Sequence, residues 1–301
     1  MPLDPAIAAV LQMMADNGAP PMSQGTPEEA RAAFRFMTVD LRDPAHLAEV
    51  RARIYRPATE GPHPTVLYFH GGGFVIGDVD THDDHTRLVC RDVDAVVVSV
   101  DYRRAPETPF PGAYEDCLAA TLWAVEHAAE LGGDPSRVAV AGDSAGGNLA
   151  AAVTIGARDK GVRLAAQLLI YPSVDFVDTD DHPSRVENAE GFFLTADDMR
   201  WFGDHYVPDP GRKSDPYASV LRHPDLTGLP PAVVGTAEYD PLRDEGEAYA
   251  AALDKAGVPV TVRRFDGLIH GYYGLGHVSP AAAEAVRAMN ADFKALLTPG
   301  S

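Results

Sequence analysis

One stretch constrains this chain more than any other: Ala139-Val140-Ala141-Gly142-Asp143-Ser144-Ala145-Gly146-Gly147-Asn148. An apolar run leads into Gly-x-Ser-x-Gly, and an alanine-rich helical stretch follows. A serine so placed between strand and helix predicts a nucleophile elbow. The turn is sharp enough to hold the serine in a strained backbone conformation. Side chains two positions to either side would collide, so Gly142 and Gly146 belong there. Such a turn lifts the Ser144 hydroxyl clear of the sheet and seats it near a helix N-terminus, where negative charge is favoured. Alone, the pattern also fits an ordinary strand-to-helix turn that contains serine. The rest of the chain must therefore supply a base, an acid and a place for developing charge.

Apolar runs recur along the chain at Val66–Phe69, Ala95–Val100, Val138–Ala141, Leu168–Tyr171 and Ala232–Gly235. They are continuous rather than alternating, as strands covered on both faces are. A sixth run, Val260–Phe265, alternates more and reads as an edge strand. Two further β-like runs precede these, at Met37–Leu41 and Ala48–Tyr55. Helical stretches separate the strands, at about 81–92, 111–131, 145–158, 245–256 and 280–297. Strand and helix in alternation predict an α/β fold with a mostly parallel sheet, and a site at the carboxyl ends of its strands.

Two amphipathic helices come first. One places Ile7, Val10, Leu11 and Met14 on a single face and ends at Asn17-Gly18 and Pro20-Pro21. The other opens at Thr26-Pro27-Glu28-Glu29 and runs to about Phe36. Between Ser173 and Leu229 no convincing strand is found. A capping box at Thr195–Asp198 opens a short helix with Met199, Trp201, Phe202 and Tyr206, just after Phe192 and Phe193. This insertion and the N-terminal helices read as a lid. Its aromatic cluster is either the lid's own core or the wall of an apolar pocket.

The chemistry is spread over three further places. His70-Gly71-Gly72-Gly73-Phe74 follows the strand at 66–69. A phosphate cradle would require a following lysine or a Gly-x-Gly-x-x-Gly opening a helix, and neither is there. The glycine run instead reads as an oxyanion hole, in which main-chain N–H groups of the loop, together with that of Ala145, face a tetrahedral intermediate. Among the 11 histidines, His270 sits in a loop after the sixth strand, late in the chain as a Ser–Asp–His order requires. Asp240 follows the fifth strand directly and is read as the orienting carboxylate. Asp244, one helical turn on, is the reserve; Asp266 is close to His270 in sequence, which leaves its geometry open. Asp143 reads as a buried structural acid and His70 as a brace for its loop. His82 and His85 alone make a weak metal site, so no metal and no cofactor are expected.

A net charge of −19, spread along the chain, argues against nucleic acid or anionic lipid as partners. No apolar run reaches the ~20 residues that span a bilayer, and the N-terminus lacks the pattern of a signal peptide. Cys90 and Cys117 belong to no Cys-x-x-Cys pair and read as buried thiols in a reducing compartment. A cytoplasmic location is the expectation.

Taken together, these motifs resemble the hormone-sensitive-lipase branch of the α/β-hydrolases, the bacterial family IV carboxylesterases. The resemblance covers nearly the whole chain. It rests on His70–Phe74, on Asp101-Tyr102-Arg103-Arg104-Ala105-Pro106-Glu107 with Pro109-Phe110-Pro111, on Gly142–Asn148, on Asp240–Glu245 and on His270-Gly271-Tyr272. It implies an α/β-hydrolase fold: an eight-stranded, mostly parallel sheet, antiparallel at its second strand, under a helical cap. The cap would comprise residues 1–45 and 184–225, the core 46–183 and 226–301. Ser144, Asp240 and His270 would be the triad, and Gly72, Gly73 and Ala145 the oxyanion donors. Arg104 replaces the usual leucine, and Tyr272 stands where phenylalanine is common. The implied activity is hydrolysis of short- to medium-chain esters, with Phe74, Phe192, Phe193, Trp201, Phe202 and Tyr206 closing on the acyl group. A homodimer through an edge strand is plausible by the same resemblance. The alternatives are an amidase or a lipase, and a non-catalytic receptor such as the plant gibberellin receptors, which lack the histidine that is present here as His270.

Overall fold

The computed structural model of the chain describes residues 3–16, 25–31 and 52–298. The strand expected at 37–41, the residues 48–51 and 32–36 of two other expected elements, and the turn at 17–21 lie outside these residues. The described chain runs α1 (Pro5–Asp16), a helical turn at 27–31, β1 (Ala52–Tyr55), β2 (His63–Phe69), α2 (Asp83–Val89), β3 (Val96–Val100), α3 (Gly112–His127) and β4 (Gly133–Asp143). It continues with α4 (Ala145–Asp159), β5 (Gln167–Ile170), α5 (Ser184–Glu187), α6 (Ala196–Tyr206), β6 (Ala232–Tyr239), α7 (Arg243–Lys255), β7 (Val260–Ile269) and α8 (Pro280–Leu297).

Among the described residues the strands form one seven-stranded sheet in the order β1-β3-β2-β4-β5-β6-β7. Only β1 runs antiparallel to its neighbour, pairing Ala52 with Val100 and Tyr55 with Val97. The continuous apolar runs are covered on both sides, as expected. On β2, Leu67 and Phe69 join a core with α3, α4 and α7, while Val66 and Tyr68 join another with α2 and α8. β7 lies at one edge of the described sheet, which is why its side chains alternate.

One element bound that differs from the sequence reading is explained by local hydrogen bonds. Helix α2 starts at Asp83 rather than near Thr81, because Asp78 and Thr81 bond each other's backbone N–H groups and hold a turn.

The insertion between β5 and β6 contains α5, α6 and two short 3-10 turns, with no strand. Thr195 caps α6 in the predicted way. Its Oγ1 accepts from Asp198 N at 3.1 Å, and Asp198 Oδ2 accepts from Thr195 N at 3.2 Å. The two N-terminal helical pieces contact different places. Ile7 of α1 is fully buried in the core on the α2 and α8 face of the sheet, and Asp4 N donates to Gly267 O. Arg31 instead reaches Val75 O, Ala105 O and Glu107 beside the glycine loop.

Candidate active site

β2 and β4 are neighbours at the sheet centre, with Phe69 paired to Gly142. Their carboxyl ends therefore place the glycine loop and the elbow side by side. Ser144 has φ 55° and ψ −117°, in the left-handed half of backbone space. The glycines around it are there because space is lacking. A Cβ on Gly146 would sit 1.9 Å from Phe69 O, and one on Gly142 would sit 2.2 Å from Gly146 O. Ser144 N donates to Ile170 O of β5 at 2.8 Å, which ties the strained residue to the next strand.

The three expected triad residues meet. His270 Nε2 is 3.0 Å from Ser144 Oγ, and His270 Nδ1 is 2.8 Å from Asp240 Oδ2. The other oxygen of Asp240 accepts from Leu242 N at 2.8 Å. Asp240 is fully buried and His270 nearly so. Hydroxyl, imidazole and carboxylate thus stand in hydrogen-bond sequence, the order that a nucleophile, a base and an orienting acid require. The imidazole also has an aromatic neighbour, Tyr171, with ring centres 4.6 Å apart. Neither rival acid enters the line. Asp244 bonds Ser184 N and Arg243, and Asp266 is exposed, 4.0 Å from Arg264.

Opposite the nucleophile, Gly72 O accepts from Val75 N and Ile76 N, folding the loop into a tight turn. Among the described residues, Gly72 N and Gly73 N donate to no protein acceptor. Ala145 is the first residue of α4, where N–H groups have no intrahelical partner. Gly73 has φ 58°, and the Phe202 ring of α6 lies so close that a Cβ would fall 2.2 Å from it. His70 braces this loop. It is fully buried and stacked on Tyr102 at 4.1 Å, with Nδ1 2.8 Å from Gly71 O. Burial, reinforced by His82 nearby, pushes its pKa down to about 3, so it is neutral near pH 7.

Asp143 is the buried structural acid expected, but spacing along the chain does not disclose its partners. Its Oδ1 accepts from Tyr68 OH at 2.8 Å and from Gly71 N at 3.0 Å, and its Oδ2 lies 3.4 Å from His82 Nε2. Burial raises its pKa, but the histidines His82 and His85 and the bonds from His82 and Tyr68 outweigh that and hold it ionised. The residue beside the nucleophile thus ties the oxyanion loop to the elbow. It also joins His82 and His85 in a cluster whose donor atoms lie within 4.8 Å of one another.

The six aromatics expected around the acyl group take different places. Phe74, after the glycine loop, and Tyr206 of α6 stack in parallel at 3.6 Å, and both are buried. Phe202 covers Gly73, and Trp201 packs edge-on against Phe202 and remains partly exposed. Phe192 stacks on Tyr239 at 4.8 Å, and Phe193 lies against Gly271. The two departures from the family pattern sit elsewhere. Arg104 bonds Gly77 O, and Tyr272 is buried against Tyr171 and Phe265.

Residues 66–274 match a family model described as the α/β hydrolase fold. The chain is 45% identical over 266 residues to a carboxylic ester hydrolase, LipN, of Mycobacterium tuberculosis, a match covering 86% of this chain and 70% of that one. It is 43% identical over 288 residues to the esterase LipI of the same organism, covering 94% and 86%. A hyperthermophilic esterase from the archaeon Pyrobaculum calidifontis superposes with a TM-score of 0.91 at 42% identity, covering 98% of this chain and 99% of that one. The chain belongs to the hormone-sensitive-lipase-like family of α/β-hydrolases. Its activity is that of a carboxylic ester hydrolase. Among the described residues no helix is long and apolar enough to cross a membrane.

Proposed function

We propose that Ser144, His270 and Asp240 carry the esterase activity as a triad, through an acyl-enzyme. His270 Nε2 takes the proton of Ser144 Oγ as that oxygen attacks the ester carbonyl. Asp240 holds the imidazole in the tautomer that leaves Nε2 free, and stabilises the imidazolium that forms. The carbonyl oxygen gathers negative charge and rests on the N–H groups of Gly72, Gly73 and Ala145. The imidazolium then protonates the leaving alcohol as the tetrahedral species collapses. Water attacks the acyl-enzyme by the same route, releasing the acid. The observation that carries this reading is the unbroken line Ser144 Oγ, His270 Nε2, His270 Nδ1 and Asp240 Oδ2, at 3.0 and 2.8 Å.

The substrates are small-molecule esters. Short to medium acyl chains fit best, because Phe202 closes the space over Gly73 and Phe74 with Tyr206 is consumed in packing. A cytoplasmic site of action accords with two free buried thiols, Cys90 and Cys117. The edge strand β7, with Val262 half exposed, offers a surface for a homodimer, which sedimentation would detect.

Ser144→Ala should lower kcat for p-nitrophenyl acetate by about 10⁵- to 10⁶-fold, since triad members act as a unit. A serine-directed organophosphonate should label the native protein on Ser144 alone. Near-native hydrolysis by Ser144→Ala would overturn the assignment. A series of p-nitrophenyl esters of increasing length checks the chain preference.

A further inference from the structure

The carboxyl end of β6 is irregular. Its pairing with β7 shifts between Ala237 and Tyr239, so the backbone there leaves the regular ladder just before Asp240. Buried carbonyls at such a break need donors from elsewhere. Helix α7 and the insertion both supply them: Arg243 N donates to Asp240 O and Arg243 Nη1 to Glu238 O, each at 3.1 Å. Asn188 Nδ2 donates to Glu238 O at 3.3 Å and to Asp240 O at 3.2 Å. Both partners are carbonyl oxygens, so only the amide nitrogen can face them. Asn188 is 4% exposed. One turn earlier, fully buried Ser184 makes three bonds to the same loop. Its Oγ donates to Pro241 O at 2.9 Å and accepts from Asp244 N at 3.1 Å, and its N donates to Asp244 Oδ2 at 2.7 Å.

A deeper anchor holds the segment in place. Arg185 forks onto buried Glu245 at 2.6 and 3.0 Å, and Glu245 accepts Val174 N and Asp175 N. The chain then runs from Asn188 to Phe193, which lies against Gly271, the residue after the base.

We infer that Asn188 is a positioning residue: its amide, seconded by Ser184, sets the backbone of Asp240 so that the carboxylate meets His270. The insertion thereby aligns the acid and the base. This rests on the triad reading above. Ser144 and its oxyanion loop need none of these bonds; the acid of the triad does. A misplacement of the order of 1 Å costs about 10²-fold in rate, and loss of both amide bonds would permit one.

The experiment compares Asn188→Ala, Asn188→Asp and Ser184→Ala with the native enzyme, counting active sites by organophosphonate titration. Positioning through donation predicts that kcat per titrated site falls about 10- to 100-fold in both Asn188 variants, with KM within about twofold. Asn188→Asp keeps the shape but cannot donate when ionised, so it should be no better than Asn188→Ala. Ser184→Ala should lose severalfold. The low-field proton resonance between His270 Nδ1 and Asp240 should broaden or vanish in the Asn188 variants. A role in packing alone predicts native kcat per site for the isosteric Asn188→Asp and an unchanged resonance, and either result overturns the inference. Should Asn188→Ala not fold, Asn188→Asp and Ser184→Ala decide alone. Failure of the native enzyme to label on Ser144 would instead sink the triad reading, and the variants' ratio would then be read as kcat per mole of folded protein.

Discussion

The two halves of the proposed triad site, Ser144 with its glycine loop and Asp240 with His270, are held by different means. Ser144 and the glycine loop occupy adjacent central strands, and backbone crowding fixes them. Gly142, Gly146 and Phe69 approach so closely that no side chain fits. Asp240 and His270 follow the two strands farthest from β1, past a break in their ladder, and side chains of the insertion fix the acid. Crowding tolerates almost no change. A hydrogen-bonded clasp tolerates graded loosening. One half is therefore brittle, and the other adjustable.

Three measurements test that contrast. The largest effect is expected in the brittle half. Gly146→Ala drives a Cβ into Phe69 O, and a backbone carbonyl cannot swing away as a side chain can. A loss of about 4 kcal/mol or more in unfolding free energy, read by urea titration, is expected for such an overpacked, strained site. A loss below about 1 kcal/mol would show that the elbow can relax.

A smaller loss is expected in the adjustable half. Arg185→Met leaves Glu245 buried without its cation, and removing one partner of a buried pair costs about 3 kcal/mol. Burial already pushes the Glu245 carboxyl up, so in the variant it can take a proton. A group whose pKa is higher folded than unfolded gains stability as pH falls. Part of the loss should therefore be recovered on acidification from pH 7 to 5, while turnover drops without abolishing the fold. A pH-independent loss would show that Glu245 stays ionised.

The smallest effect has the opposite sign. His70 has a pKa depressed to about 3 when folded, against about 6.5 unfolded. Between those values the unfolded chain binds more protons, so stability is complete above pH 6.5 and declines as pH falls toward 3. Between pH 6.5 and 5 the decline should be about 1–2 kcal/mol. Urea titrations of the native protein and of His70→Asn at both pH values check this; equal slopes would remove His70 from the account.

The same contrast governs what the sequence discloses. The nucleophile half is written in short motifs, His70–Phe74 and Gly142–Asn148, because crowding acts between residues that must be glycine. The order of Ser144, Asp240 and His270 could be read for the same reason, as each ends a recognisable strand. The clasp could not. Ser184 and Asn188 lie 50 to 60 residues from their partners, and polar residues in an irregular insertion carry no periodicity. Asp143 was legible as a structural acid, yet its bonds to Tyr68 and Gly71 join residues more than 70 positions away. Phe74 and Tyr206 could be read as aromatic, but only their stacking assigns them to the packing of α6 beside the glycine loop.

The ring of Phe202 resting on Gly73 has a bearing on protein engineering. The insertion and the glycine loop share one boundary, so they form a single unit of exchange between relatives. A chimera that imports another insertion without its matching glycine loop would place a gap or a collision above the charge that the reaction generates. Recombination that carries residues 70–77 and 184–225 together would keep that boundary whole.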